Sequence, residues 1–126
     1  MDEEIIKVSP LPKTWIFDID GTILKHNGYK IDGKDSLLQN SKEFFEQISK
    51  QDLIILITSR SEEFKESTEK FLKENRIRYD HIIYNVPYGE RIIINDKKPS
   101  GLATAIAINT ERDKFCNTKF IVDESL

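Results

Sequence analysis

The chain has 126 residues, with 19 basic and 22 acidic side chains for a net charge of −3, and 38% of its residues are hydrophobic. That length suits one folded domain with a real core, and the slight acidity argues against a nucleic-acid binder, which normally carries a basic face. No apolar run approaches the ~20 residues of a membrane span, Met1-Asp2-Glu3-Glu4 is the wrong start for a secretion signal, and Cys116 stands alone without a disulfide partner; the expectation is a reduced, cytoplasmic globular protein with no membrane partner.

In chain order, Lys13–Ile19 reads as a buried strand, β-branched and aromatic, stopped by Asp20-Gly21. The segment 25–35 is a glycine-bent flap or hairpin. A helix is predicted over 41–51, with Phe44, Phe45 and Ile48 on one side. Leu53–Thr58 is a second strand, apolar on both faces as strands between helix layers are. Ser61 is a fair N-cap for a helix over 62–75 whose buried stripe is Phe64, Thr68, Phe71 and Leu72. His81–Tyr84 and Arg91–Asn95 supply two further strands, Ala103–Ile108 is a strand or a short helix, with the pair Ile106/Ile108 favouring the strand, and Lys119–Val122 adds an edge. The alternation predicts an α/β fold: a Rossmann-like three-layer sandwich around a mainly parallel sheet. Only residues 85–90 join the third and fourth strands, too few for the usual helical crossover, so this region should lack its helix or break the parallel pattern. Residues 109–117 read as a polar connector.

Ligands of open α/β sheets bind outside the carboxyl ends of the strands. The first strand presents Asp18-Ile19-Asp20-Gly21-Thr22 there, the second Thr58-Ser59-Arg60, and the fourth Asn95-Asp96-Lys97-Lys98. Asp18 and Asp20 are two apart, so on extended chain they face the same way. Carboxylates aimed into one site repel unless one is protonated or a cation intervenes. A hard divalent ion with oxygen ligands resolves this, and Mg²⁺ also recruits substrate phosphate. Asp18, Asp20 and Asp96 are therefore the candidate metal ligands, with Gly21 permitting the bend and Thr22 adding a hydroxyl beside exposed amides. Ser59, Arg60 and Lys97 are candidates for holding the phosphate.

On these residues the sequence resembles the haloacid dehalogenase-like hydrolase superfamily. Trp15-Ile16-Phe17-Asp18-Ile19-Asp20-Gly21-Thr22 matches its first motif, Leu56-Ile57-Thr58-Ser59-Arg60 its second and Ile94-Asn95-Asp96 its acidic fourth. The nearest likeness is to small capless phosphatases, including those of capsule and surface-polysaccharide synthesis. The resemblance implies that Asp18 is the nucleophile and forms an aspartyl-phosphate. Asp20 is then the general acid and base, its backbone carbonyl also holding Mg²⁺, and Thr58 hydrogen-bonds the phosphoryl group. The family's third-motif cation is missing where Val86-Pro87 stands, and Lys98, then Lys97, is the expected substitute. Without a cap domain the site should be open, so that the substrate is large or a second subunit covers it. The expected activity is Mg²⁺-dependent hydrolysis of a small phosphorylated metabolite, such as a sugar or polyol phosphate. The alternatives are a pseudo-enzyme that binds phosphorylated ligands and a receiver-like phosphoacceptor module.

Overall fold

The computed structural model describes residues 4–126, and the reading of Met1-Asp2-Glu3 as no secretion signal lies outside the described residues. In chain order the elements are β1 (Ile5–Val8), β2 (Thr14–Asp18), α1 (Gly28–Ile31), α2 (Ser41–Glu46), β3 (Leu53–Ile57), a 3₁₀ turn (Glu62–Phe64), α3 (Lys65–Glu74), β4 (His81–Ile83) and β5 (Lys119–Val122). They divide between two compact units. The larger comprises Pro12–Pro87 and Thr110–Cys116; the smaller, among the described residues, comprises 4–11, Tyr88–Asn109 and Asn117–Leu126.

The larger unit is an α/β assembly on a parallel three-stranded sheet of order β2-β3-β4. Register sets Trp15 beside Ile54, Phe17 beside Leu56 and Leu56 beside Ile82, so these side chains share one face because strand residues alternate. Against that face pack Phe45 of α2, Leu72 of α3 and the turn residues Ile19, Ile23 and Leu24, in a core where Ile54, Leu56 and Leu72 are wholly buried. Each such side chain contributes ~1.5–3 kcal/mol on removal from water. Phe17, Phe44 and Phe115 close one flank, with Phe44 edge-on to Phe17 at 6.1 Å and to Phe115 at 5.2 Å. Asp52 fastens the entry of the sheet, accepting from Lys13 N and Trp15 Nε1, both at 2.9 Å.

The second helix layer expected from the all-apolar strands is not found in this unit. Strand order follows chain order, so successive right-handed crossovers deliver α2 and α3 to the same side. On the other face Ile16 remains 49% and Ile83 52% exposed. Helix α2 also ends at Glu46 rather than at 51: Ile48 N donates to Phe45 O in a tightened last turn, and residues 49–52 turn into β3. The 62–75 helix forms as a 3₁₀ turn running into α3. Thr68 and Leu72 are buried in it, as the stripe predicts. Ser61 precedes it in extended conformation, but its hydroxyl makes no capping bond.

The smaller unit is built on a parallel pair, β1 with β5, Ile5 opposite Lys119 and Val8 opposite Val122. Strand β1 was not foreseen. Neither Arg91–Asn95 nor Ala103–Ile108 is a strand, which corrects both expectations. The two segments flank a turn, where Lys98 N donates to Leu102 O and Gly101 N to Lys98 O, but no backbone ladder joins them. Ile92 and Ile94 accordingly stand 81% and 93% exposed. The 85–90 link carries no helix, as its length requires. No helix among the described residues is long and apolar enough to cross a membrane.

Candidate active site

β2 and β3 are parallel and in register to Asp18 and Ile57. Their next residues continue the pairing, Ile19 N donating to Ile57 O at 3.2 Å. The chain after β2 must then turn sharply while its carboxylates stay at the sheet edge. Ile19 anchors the turn: its side chain is wholly buried, and its carbonyl accepts from Thr22, Ile23 and Leu24 N. Gly21 has φ +83°, and a Cβ there would meet Arg112 Cγ at 3.3 Å. A side chain at this position is both strained and crowded.

A hydroxyl from the turn and one from the end of β3 meet the two carboxylates. Thr22 Oγ1 donates to Asp18 Oδ2 at 3.2 Å, and Thr58 Oγ1 donates to Asp20 Oδ2 at 3.4 Å. Thr58 is wholly buried, and its Oγ1 also accepts from Arg60 N. The β3–α3 connection is fixed by Ser59 Oγ donating to Val86 O, and by Asn85 N and Val86 N donating to the carbonyls of Arg60 and Thr58.

Arg60 has a different part from the one its position suggested. Its side chain is 1% exposed and all five of its N–H groups have partners within the chain. The Nε/Nη2 edge faces Asp20, with Nη2 to Oδ1 at 2.8 Å, while the Nη1/Nη2 edge faces Asp35 at 3.1 and 2.7 Å. Nη1 also donates to Thr68 Oγ1 at 2.8 Å, and the Tyr29 ring lies 4.0 Å from the guanidinium carbon. Burial alone would lower the Arg60 pKa; the hydrogen bonds and charges of Asp35 and Asp20 outweigh it and hold the group above its ordinary value. So arranged, Arg60 orients Asp20 rather than offering free donors to a phosphate.

The 25–35 flap is a closed excursion. Leu24 and Leu37 bridge antiparallel at its base, Lys25 N donates to Ser36 O, and α1 forms its tip. The 109–117 connector also has a use that composition did not reveal. Asp113 N donates to Gly21 O at 2.8 Å, and its carboxylate accepts from His26 N at 2.6 Å, buttressing the turn after Asp20.

Asp18, Asp20, Gly21, Thr22, Thr58, Ser59 and Arg60 thus come together in the larger unit. Asp96, Lys97 and Lys98 belong to the smaller one, where the strand expected to carry them is absent. The Asp96 carbonyl accepts from Thr104 Oγ1 at 2.6 Å, and all three residues are exposed. In the smaller unit, Asp123 directly follows the parallel strand β5. Its carboxylate accepts from Ser125 Oγ and N, which hold its pKa below the ordinary value. Among the described residues no group of three or more His, Cys, Asp or Glu side chains is gathered as a metal site. The end of β2 offers oxygen donors only, namely the Asp18 carboxylate, the Thr22 hydroxyl and the Asp20 carbonyl, the kind a hard divalent cation takes.

No family model matches the sequence, and no curated protein matches it. Solved structures do. A chain of the Pnkp1/Rnl/Hen1 complex is 26% identical over 68% of this chain and 32% of its own length, with a TM-score of 0.51. A chain of the Pnkp1/Rnl/Hen1 RNA repair complex is 26% identical over 72% of this chain and 30% of its own, with a TM-score of 0.52. This protein therefore spans about a third of the length of the chains it resembles.

Proposed function

We propose that the protein is a phosphatase of the haloacid dehalogenase-like type, capless and Rossmann-like, that hydrolyses a phosphate monoester through an aspartyl-phosphate on Asp18. The observation that carries this reading is the pairing at the ends of β2 and β3: Thr22 donates to one carboxylate and Thr58 to the other. In the first step an Asp18 oxygen attacks phosphorus and the bond to the leaving oxygen breaks as Asp20 gives that oxygen a proton. In the second, Asp20 takes a proton from water, whose oxygen attacks the phosphoryl group and releases Asp18 and inorganic phosphate. Splitting one displacement into two lowers each barrier. Positioned proton transfer contributes typically ~10²–10⁴-fold.

Mg²⁺ suits the oxygen donors at the end of β2; Asp18 and the Asp20 carbonyl would hold it, with Asp96 as the further carboxylate. When bound, the ion would neutralise charge on the transferring phosphoryl group. Loss of Mg²⁺ affinity in Asp96→Asn is the expected outcome, and unchanged affinity would contradict that part for Asp96. Lys98, with Lys97 second, is proposed as the cation replacing the family's third motif. The protein is proposed to act in the cytoplasm on a sugar or polyol phosphate, as in surface-polysaccharide synthesis, with a second copy covering the open site.

A second reading takes a phosphorylated RNA end as substrate, favoured by the likeness to chains of an RNA repair complex. A panel of sugar phosphates, polyol phosphates and RNA oligonucleotides bearing 3′- or 5′-phosphates, assayed with wild type and Asp18→Asn, separates the two. The first reading expects phosphate release from the small esters, abolished in Asp18→Asn; release from RNA alone selects the second. Binding of phosphorylated ligands without turnover would instead indicate a pseudo-enzyme, and a long-lived phosphoryl group on Asp18 a receiver-like module.

A further inference from the structure

Asp35 supplies no group to the chemistry proposed above, yet it lies in the flap with a side chain only 6% exposed, paired to Arg60 through both carboxylate oxygens. The opposite edge of the same planar guanidinium holds Asp20. One rigid group therefore joins two carboxylates, and a two-edged, bidentate arrangement transmits orientation as well as charge. The Tyr29 ring against the guanidinium and the Thr68 hydroxyl on Nη1 restrict its remaining freedom. The flap base is closed by the Leu24–Leu37 bridge and by Leu38 N donating to Ile23 O, so Asp35 is presented from a fixed frame.

We propose that Asp35 is a positioning residue: through Arg60 it sets the direction of the Asp20 carboxylate, and so the efficiency of proton transfer to the leaving oxygen. The inference rests on the phosphatase reading and goes beyond it by giving the flap a part in catalysis. A misdirected general acid penalises esters whose leaving oxygen needs a proton and spares those whose leaving group departs as an anion. An alkyl phosphate and p-nitrophenyl phosphate are therefore the two probes.

Asp35→Asn keeps the size but turns an amide N–H₂ toward one guanidinium donor, releasing one of the two bonds. The expected result is a fall in kcat of roughly 10–100-fold on the alkyl phosphate, short of the full ~10²–10⁴-fold of a general acid because Asp20 is misdirected and not removed. On p-nitrophenyl phosphate the fall should be less than ~3-fold, with KM for both esters nearly unchanged, and Asp35→Glu should recover part of the lost ratio. Thr68→Val, which removes one of the two acceptors of Nη1 and leaves Asp35 in place, should move the ratio the same way by less, and serves if Asp35→Asn does not fold. Equal losses on the two esters, no loss on either, or a ratio that Asp35→Glu does not restore would overturn the proposal while leaving the phosphatase reading intact. A wild-type protein inactive on both esters would instead fail the parent reading, and the inference with it.

Discussion

Replacing Arg60 by Met tests the energetic centre of the larger unit. The substitution keeps an unbranched stem of similar reach and removes the charge that neutralises Asp20 and Asp35, whose side chains are 17% and 6% exposed. Two carboxylates are then left facing each other, having lost donors on both edges of the guanidinium. Breaking a buried pair by removing one partner costs ~3–5 kcal/mol, because the remaining charge is stranded away from water. With a urea m-value of ~2 kcal/mol/M, the midpoint of unfolding at neutral pH should fall by about 2 M. Adding Asp35→Leu to Arg60→Met should recover about 1–3 kcal/mol, since one stranded carboxylate is removed, and the cycle of single and double variants gives the coupling directly. A loss under ~1 kcal/mol for Arg60→Met is what a solvent-exposed pair gives, and it would refute a buried, fully bonded Arg60.

Three further outcomes follow from the same geometry. Leu56→Ala, at a wholly buried position, should cost ~2–5 kcal/mol, whereas Ile16→Ala on the exposed face of the same sheet should cost under ~1 kcal/mol; equal losses in urea melts would contradict a one-sided core. Tyr79 and Tyr84 both donate to Glu69, and burial first, then Glu69, raises both pKa values above the tyrosine value of 10.0. A raised folded value means that the stabilisation is complete below the unfolded pKa and is lost as pH climbs through the folded ones, so near-ultraviolet phenolate titration of wild type against Tyr79→Phe and Tyr84→Phe should show both ionising late. Ionisation of either at the ordinary value would contradict the pairing with Glu69. Gly21→Ala, at φ +83° beside Arg112, should destabilise by more than ~1 kcal/mol; an unchanged melt would contradict the left-handed turn after Asp20.

The parts of the fold that were legible are those fixed by local pattern. β2 and β3 are dense in β-branched and aromatic residues and end in polar turns, and their residues lie in ladders as the pattern requires. The same composition misled at Arg91–Asn95, where three isoleucines in a row find no ladder. Strand propensity reflects a fit to a half-buried pleated surface and not a preference of isolated backbone. β1 went unseen because four residues carry little periodicity and its partner, β5, lies at the other end of the chain. Helix layering failed because an all-apolar strand does not say which side its crossovers take.

In the site, Asp18 to Thr22 and Thr58 to Arg60 were legible because neighbouring parallel strands end together there. Their pairings were not. Arg60 looked like a phosphate ligand from its place after Thr58, but its partners Asp35 and Thr68 come from the flap and from α3, and no spacing rule connects those segments. Asp113 is a similar case, polar and unremarked in sequence, yet hydrogen-bonded to the turn that follows Asp20.

The central claim is that Asp18 accepts the phosphoryl group. Acid-quenching the protein during incubation with a phosphate ester and Mg²⁺, then mapping the added phosphate by peptide mass spectrometry, tests it most directly. The account predicts a transient phosphoryl group on Asp18, absent from Asp18→Asn and accumulating when Asp20→Asn slows attack by water. Turnover that continues in Asp18→Asn, or a phosphoryl group found on another residue, would contradict it.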